Sequence, residues 1–349
     1  MKAYISSCAA ISAQLSFNDS FPWREFKTYS EKMPAIEPDY KEFISLVKLR
    51  RMNRMVKMGI AVAAKCLQTS MLERPDAIIA TTGWGCLEDT YRFLDEIIEK
   101  KEEMPSPATF IQSTHNTVGG QIALHFECQE YHNVYVNHTS SFEHGLLDAL
   151  LLLAEGKENV LIGGIDELTN RDFELKQRSG YWKKIPAENS VLYESNDPGC
   201  IPGEGTAFFL LTNKRTAQCN AGVDGVFITS NNNLMDQIKS NTGLVANDFD
   251  LVISGYNGDI RLKSPVKEFI QTNFPNTSHC YYKHLSGEYD TASSFALWLA
   301  NEIIKTQIIP DYLFIDPLNS KLKEIKRILI HNFIEPDTHA CILVSKADL

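Results

Sequence analysis

A chain of 349 residues, 44% hydrophobic and 22% charged, is long enough for two fused halves with their own cores, and its composition excludes a disordered, fibrous or disulfide-scaffold protein. Lys and Arg number 34 against 44 Asp and Glu, and the net charge of −10 argues against a nucleic-acid binder, because phosphate neutralisation needs clustered cations. The eight cysteines are scattered without zinc spacing, so the expectation is reduced thiols, no metal, no signal peptide, no membrane span and a cytoplasmic location.

Short apolar strands alternate with helical segments, the pattern of an α/β protein. Lys2–Ser6 reads as a first strand and residues 15–45 as an excursion from the core. Met52–Leu67 is a predicted helix with a broad buried face, and the basic stretch Lys48–Lys57 that overlaps its start reads as a helix face. Ala77–Thr81 is a buried strand and Cys86–Lys100 an amphipathic helix, after which Pro105 and Pro107 break the chain. Val134–Val136 is a strand that runs into the polar turn Asn137-His138-Thr139-Ser140-Ser141. The helix that follows, Phe142–Ala154, is apolar almost all round, which predicts burial on both flanks. Val160–Ile165 and Ala207–Leu211 are the next strands, separated by a polar, irregular stretch at residues 170–200.

Polar Thr212–Gly222 marks the expected boundary between an N-terminal half, 1–213, and a C-terminal half, 214–349. The second half runs through strand Val226–Thr229, a helix near Leu234–Ser240, strand Leu251–Ser254 and helix Val266–Asn273. Strand His279–Tyr281, helix Ala292–Lys305 and a closing strand Ala340–Val344 complete it.

The polar turn is the most informative stretch. A strand that passes at once into a buried helix sets a side chain at a helix N-terminus, where unpaired N–H groups and the dipole favour a developing negative charge. An acyl-transfer nucleophile and its oxyanion hole can be built there. Thr139, Ser140 or Ser141 can equally serve as a plain N-cap. No phosphate loop or dinucleotide fingerprint follows a strand, since Gly203-x-Gly205 precedes one, so no cofactor is expected.

Several segments in order resemble the β-ketoacyl synthases, the condensing enzymes of fatty-acid and polyketide synthesis. They are Ala3–Ser12, Arg51-Met52-Asn53-Arg54-Met55 up to Gly59, Ser106–Ile111, Asn116–Ala123, Val160–Glu167 and Pro202-Gly203-Glu204-Gly205-Thr206-Ala207. The likeness spans residues 1–213 and thins in the C-terminal half, where it rests on Val252–Gly258, Lys283–Glu288 and the last strand. It implies the thiolase fold, two similar α/β halves in an αβαβα arrangement.

The departures from the family are chemical. The nucleophilic cysteine falls on Thr139, or on Ser140 if the alignment slips by one. The first catalytic histidine falls on Tyr256 or Asn257, the family lysine is kept as Lys283, and the second histidine becomes Glu288. The glycine-rich oxyanion loop becomes Phe333-Ile334-Glu335-Pro336-Asp337. A threonine hydroxyl is far less acidic than a thiol, and an ionised Glu288 repels an enolate. Losing a nucleophile and two stabilisers at about 3 kcal/mol each abolishes useful condensation.

The resemblance therefore implies a subunit without condensing activity that pairs with an active ketosynthase, as chain-length factors do, in polyketide or polyene synthesis. Its partners would be an acyl carrier protein bearing a phosphopantetheine-linked acyl chain, and either a second copy or an active ketosynthase joined along the strand at Val134–Val136. A second reading keeps activity, with Thr139 or Ser140 as nucleophile and His138, His144 or Glu288 as base. A third is a carrier-docking module that uses a basic patch at Lys48–Lys57 or Lys183–Lys184.

Overall fold

A computed structural model of the chain describes residues 2–18, 21–229, 233–314, 324–335 and 338–348. Its strands are β1 (Ala3–Ile11), β2 (Ala77–Thr82), β3 (Tyr131–Val136), β4 (Asn159–Asp166), β5 (Gly205–Thr212), β6 (Ala221–Thr229), β7 (Leu251–Ser254), β8 (Ser278–Tyr281), β9 (Arg327–Glu335) and β10 (Thr338–Lys346). The helices are α1 (Leu46–Leu49), α2 (Arg54–Ser70), α3 (Leu87–Glu99), α4 (Pro107–Ser113), α5 (Thr117–His125), α6 (Ser141–Ala154), α7 (Asn170–Ser179), α8 (Leu234–Thr242), α9 (Ile260–Asn273), α10 (Lys283–Ser286) and α11 (Ser293–Thr306).

The strands form one sheet in the order β3-β2-β4-β5-β1-β6-β10-β9-β7-β8. Each half repeats the other. In the first, β2 runs parallel to β3 and β4, and β5 runs antiparallel to β4 and β1. In the second, β7 runs parallel to β8 and β9, and β10 runs antiparallel to β9 and β6. A short antiparallel contact, Ala3↔Val223 and Tyr4↔Gly222, joins the two. The expected boundary at 213/214 lies in the connection from β5 to β6.

Alternation along each strand builds the layers, because successive side chains point to opposite faces. Ile79, Val160, Ile162, Phe209 and Leu211 share a core with Leu251, Ile253, Ile330 and Ile342 of the other half, filled by α6 and α11. Their neighbours Ile78, Leu161, Phe208 and Leu210 face α2 and α5, while Val252, Leu329 and Leu343 face α8 and α9. The αβαβα arrangement follows: two sheet halves, a shared pair of helices between them, and helices outside each.

Several expectations are corrected. The first strand extends to Ile11, and α7 occupies part of the stretch read as irregular. Strand β9 was not anticipated, and α9 begins before Pro265 because Asp259 caps it by accepting from the Arg261 N–H. Helix α6 is not buried on both flanks: Leu147 and Leu151 are 40% and 53% exposed. Edge strand β3 ends the sheet on that side, and no described element covers the flank. All eight cysteines are free thiols. Among the described residues no helix is long and apolar enough to cross a membrane.

Candidate functional site

The turn after β3 is built by its own side chains. Asn137 leads into His138, which holds a left-handed φ of +48° that a non-glycine residue seldom adopts. Ser141 Oγ accepts from the Asn137 N–H and donates to the His138 carbonyl, each at 2.7 Å. Ser140 Oγ donates to the Asn137 carbonyl and accepts from its side-chain amide, each at 3.0 Å. Gly145 lets α6 approach β2, since a Cβ there would lie 2.3 Å from Thr81 Cγ2. The exposed His138 ring packs on Trp84 at 4.5 Å between centroids. His144 Nδ1 donates to the Ser140 carbonyl at 2.8 Å. Of the three turn hydroxyls, then, Ser140 and Ser141 hold the backbone. Half-buried Thr139 offers only its carbonyl, which accepts from Asn332 Nδ2 at 3.1 Å.

Behind the turn lies a buried polar cluster. Lys283 Nζ is 2.6 Å from Glu288 Oε1, and both residues are buried. The backbone of Glu288 is pinned, its N–H donating to the Ile201 carbonyl and its carbonyl accepting from the Gly203 N–H. Glu143, in the first turn of α6, is fully buried, and its Oε1 accepts from Asn332 Nδ2 at 3.1 Å. Burial pushes the Glu143 carboxyl above the usual carboxylate range, and Ser293, Asn332 and Lys283 oppose that push. One amide, Asn332 Nδ2, thus bridges the Thr139 carbonyl to Glu143, which in turn feels the Lys283 charge.

Lys283 and Glu288 are brought together, and Glu143 and Asn332 connect them to Thr139. Tyr256 and Asn257 make no hydrogen bond to this cluster among the described residues, although the adjoining Gly255 lies against Asn332, whose Oδ1 would be 3.1 Å from a Cβ there. The Tyr256 ring packs on Tyr193 and Tyr281, and burial, with Asp259 nearby, pushes its phenol up to about 12. Asn257 Oδ1 accepts from the Asp259 N–H. Of the segment Phe333–Asp337, Pro336 and Asp337 lie outside the described residues.

Glu143 and Asn332 were missed from the sequence. A glutamate in the first turn of an apolar helix, and an asparagine inside the apolar run Ile328–Phe333, were the available signals. Both are polar groups that need partners once buried.

The cavity beside Glu288, also lined by Trp84, Lys176 and Asp290, measures about 20 Å³, room for about one water. Burial and neighbouring Asp166 push Asp290 up to about 7. Asp166 itself is saturated, accepting from Thr82 Oγ1, the Gly83 N–H and the N–H and hydroxyl of Thr291. Among the described residues no group of three or more His, Cys, Asp and Glu is placed to hold a metal.

The basic stretch divides into paired and unpaired cations. Arg54 forks onto Glu204, at 2.5 and 2.6 Å, and also meets Glu37. Lys48, Arg50 and Arg51 are exposed and make no ion pair among the described residues. Arg50 and Arg51 line an 820 Å³ surface hollow with Arg92. Lys183 is buried and donates to Ser195 Oγ, the Asp197 carbonyl and the Gly258 carbonyl, a structural clamp and not a surface patch.

The family model "Beta-ketoacyl synthase, N-terminal domain" matches residues 23–197, just over half of the chain. The chain belongs to the β-ketoacyl synthase family. Comparison with curated proteins finds no match. Among solved structures, "The ishigamide ketosynthase/chain length factor" is similar with a TM-score of 0.80 at 13% identity, covering 99% of this chain and 98% of that one. A β-ketoacyl synthase from Burkholderia phymatum STM815 is similar with a TM-score of 0.78 at 12% identity, covering 99% of each chain. A third, described as a type II PKS acyl-carrier protein in complex with its ketosynthase bound to the hexaketide, has a TM-score of 0.71 at 16% identity and covers 99% of each chain. At these identities the likeness is one of fold, and it establishes the thiolase-like architecture of this divergent family member.

Proposed function

We propose that this ketosynthase-like chain lacks condensing activity and acts as a chain-length-factor-like partner of an active β-ketoacyl synthase that elongates carrier-bound acyl chains. The observation that carries the reading is the turn at His138–Ser141. It holds no thiol, two of its hydroxyls are spent on its own backbone, and behind it Lys283 is tied to Glu288.

The surface supports pairing with another subunit. Strand β3 ends the sheet with an unpaired edge, and Tyr131, Val136, Leu147 and Leu151 are exposed on and beside it. Unpaired strand edges and apolar patches are costly unless something covers them. For the carrier protein, which is acidic, the unpaired Lys48, Arg50 and Arg51 supply a complementary charge.

The test is co-purification with candidate ketosynthases, followed by malonyl elongation assays of the chain alone and of the pair. A 1:1 heterodimer active only as the pair supports the reading. Elongation by the chain alone, or a homodimer that ignores every ketosynthase, sinks it. One observation favours a second reading, an acyl transfer through Thr139: its hydroxyl is the one in the turn with no hydrogen bond among the described residues, and it sits beside the N-terminus of α6. An acyl adduct seen by intact mass and lost in Thr139→Ala would favour it.

A further inference from the structure

A second hollow, which shares Arg51, Met52, Asn53 and Gln112 with the arginine-lined one, belongs to neither the turn nor the buried cluster. It measures about 550 Å³, within the range of small-molecule sites. One wall is a face of α5, where Thr117, Gln121, Leu124 and His125 fall at helical spacing. Met52 and Val56 form the other wall, and Gln112 closes one end by donating its amide to the Arg51 carbonyl at 3.1 Å.

We propose that this hollow binds a medium-chain carboxylate, an anionic head on an apolar tail. This does not rest on the partner-subunit reading. The apolar side is laid out by Val56, which is buried, Met52, which is half-buried, and Leu124, which stands 68% exposed beside the hollow. Lys48 and Arg51 supply the charge at its rim, and neither has an ion-pair partner among the described residues. The one acid in the lining, Glu127, is neutralised by Arg74 at 3.1 Å. The hollow is therefore positive in a chain whose net charge is −10.

Two polar groups are left over inside. The Gln121 side chain makes no hydrogen bond among the described residues, and His125 Nδ1 is buried without a partner. Burial, reinforced by Lys48, holds the His125 imidazole below its usual pKa, so it is neutral and offers a hydrogen bond in place of a charge. Lysine and arginine bind a carboxylate, the amide orients it, and the tail displaces water from Leu124 and Met52. No aromatic ring other than that of His125 lines the hollow, which leaves a nucleobase little to stack on.

The experiment is calorimetric titration of the full chain with octanoate, octanol and octylamine, all below aggregation. Octanoate is expected to saturate at one per chain, octanol to bind about tenfold more weakly, and octylamine not to bind. Leu124→Glu and Lys48→Ala each alter an exposed side chain and are expected to weaken octanoate about tenfold with an unchanged thermal midpoint. Absence of saturable octanoate binding, equal affinity for octanol, or full affinity in either variant overturns the proposal. Should Leu124→Glu lower the midpoint, Gln121→Ala replaces it, with weaker octanoate binding expected and unchanged binding counting against the site.

Discussion

The junctions after β3 and after β8 occupy equivalent places, since each strand closes one end of the sheet in a half that repeats the other. They are finished in opposite ways. After β3 the chain turns through exposed His138 and half-buried Thr139, held by serine hydroxyls, beside uncovered apolar side chains. After β8 every residue of α10 is buried, and an ion pair closes the pocket behind it. One topology thus yields a junction open to another molecule and a junction buried around its own ion pair. The difference comes from a few residue choices, Lys283 with Glu288 on one side and serines with leucines on the other.

The buried junction is expected to be the more fragile. Glu288→Ala leaves the buried Lys283 ammonium uncompensated, and breaking one partner of such a pair costs about 3–5 kcal/mol. The double replacement Lys283→Met with Glu288→Leu is expected to recover most of that loss, because the desolvation penalty disappears with the charges. Urea denaturation measures both. If Glu288→Ala costs no more than an exposed ion pair does, the pair is not what closes this end.

Next in size is the pH response of the second half. His331 and His284 are buried, and loss of hydration pushes both imidazoles down to about 3. In the unfolded chain each takes a proton near about 6.5, so the unfolded state binds more protons and stability falls as pH drops from about 6.5 towards about 3. Glu167 and Asp290, pushed up to about 7 mainly by burial, act with the opposite sign. Their contribution is present below the unfolded carboxyl range and is lost as pH rises through about 7. Unfolding midpoints measured against pH are expected to be flatter on the acid side for His331→Gln and flatter towards neutrality for Glu167→Gln. Parallel curves for parent and variants would show that these groups do not set the response.

Asn332 ties the two junctions together, so Asn332→Ala is the direct way to uncouple them. It removes hydrogen bonds to the Thr139 carbonyl and to Glu143 Oε1, an oxygen of a fully buried carboxyl. An unsatisfied buried group costs about 1–3 kcal/mol. Adding Glu143→Gln to that variant is expected to restore part of the loss, increasingly so as pH rises and the buried parent carboxyl is pressed to ionise. Thermal midpoints of the single and double variants check this.

Much of the architecture was legible in the sequence because alternation and turn residues are local. Leu251–Ser254 was read to the residue, and the helix from Phe142 was one residue short at its start. What failed was context. The apolar run Ile328–Phe333 carries too little punctuation to declare a strand, and it is fixed by pairing with β7 and β10. The open flank of α6 could not be read either, since its all-round apolar pattern is that of a helix with another molecule or another helix on each side. Within the site, Lys283 and Glu288 are five positions apart and legible as a pair of charges. Glu143 and Asn332 meet only through the fold, across a separation of 189 residues.

The smallest expected effect decides most about the open junction. The Thr139 hydroxyl has no hydrogen-bond partner among the described residues, and the residue's hold on the fold is its carbonyl. Thr139→Ala keeps that carbonyl, so stability is expected to change by no more than about 0.5 kcal/mol. If the turn serves as a surface for a partner subunit, elongation by the pair is expected to stay within about twofold of the parent, because no step passes through the hydroxyl. If the hydroxyl attacks a thioester, the same variant keeps its stability and loses turnover by orders of magnitude. Stability unchanged and turnover unchanged leaves the open junction as a binding surface, distinguished from the buried one by what covers it and not by chemistry of its own.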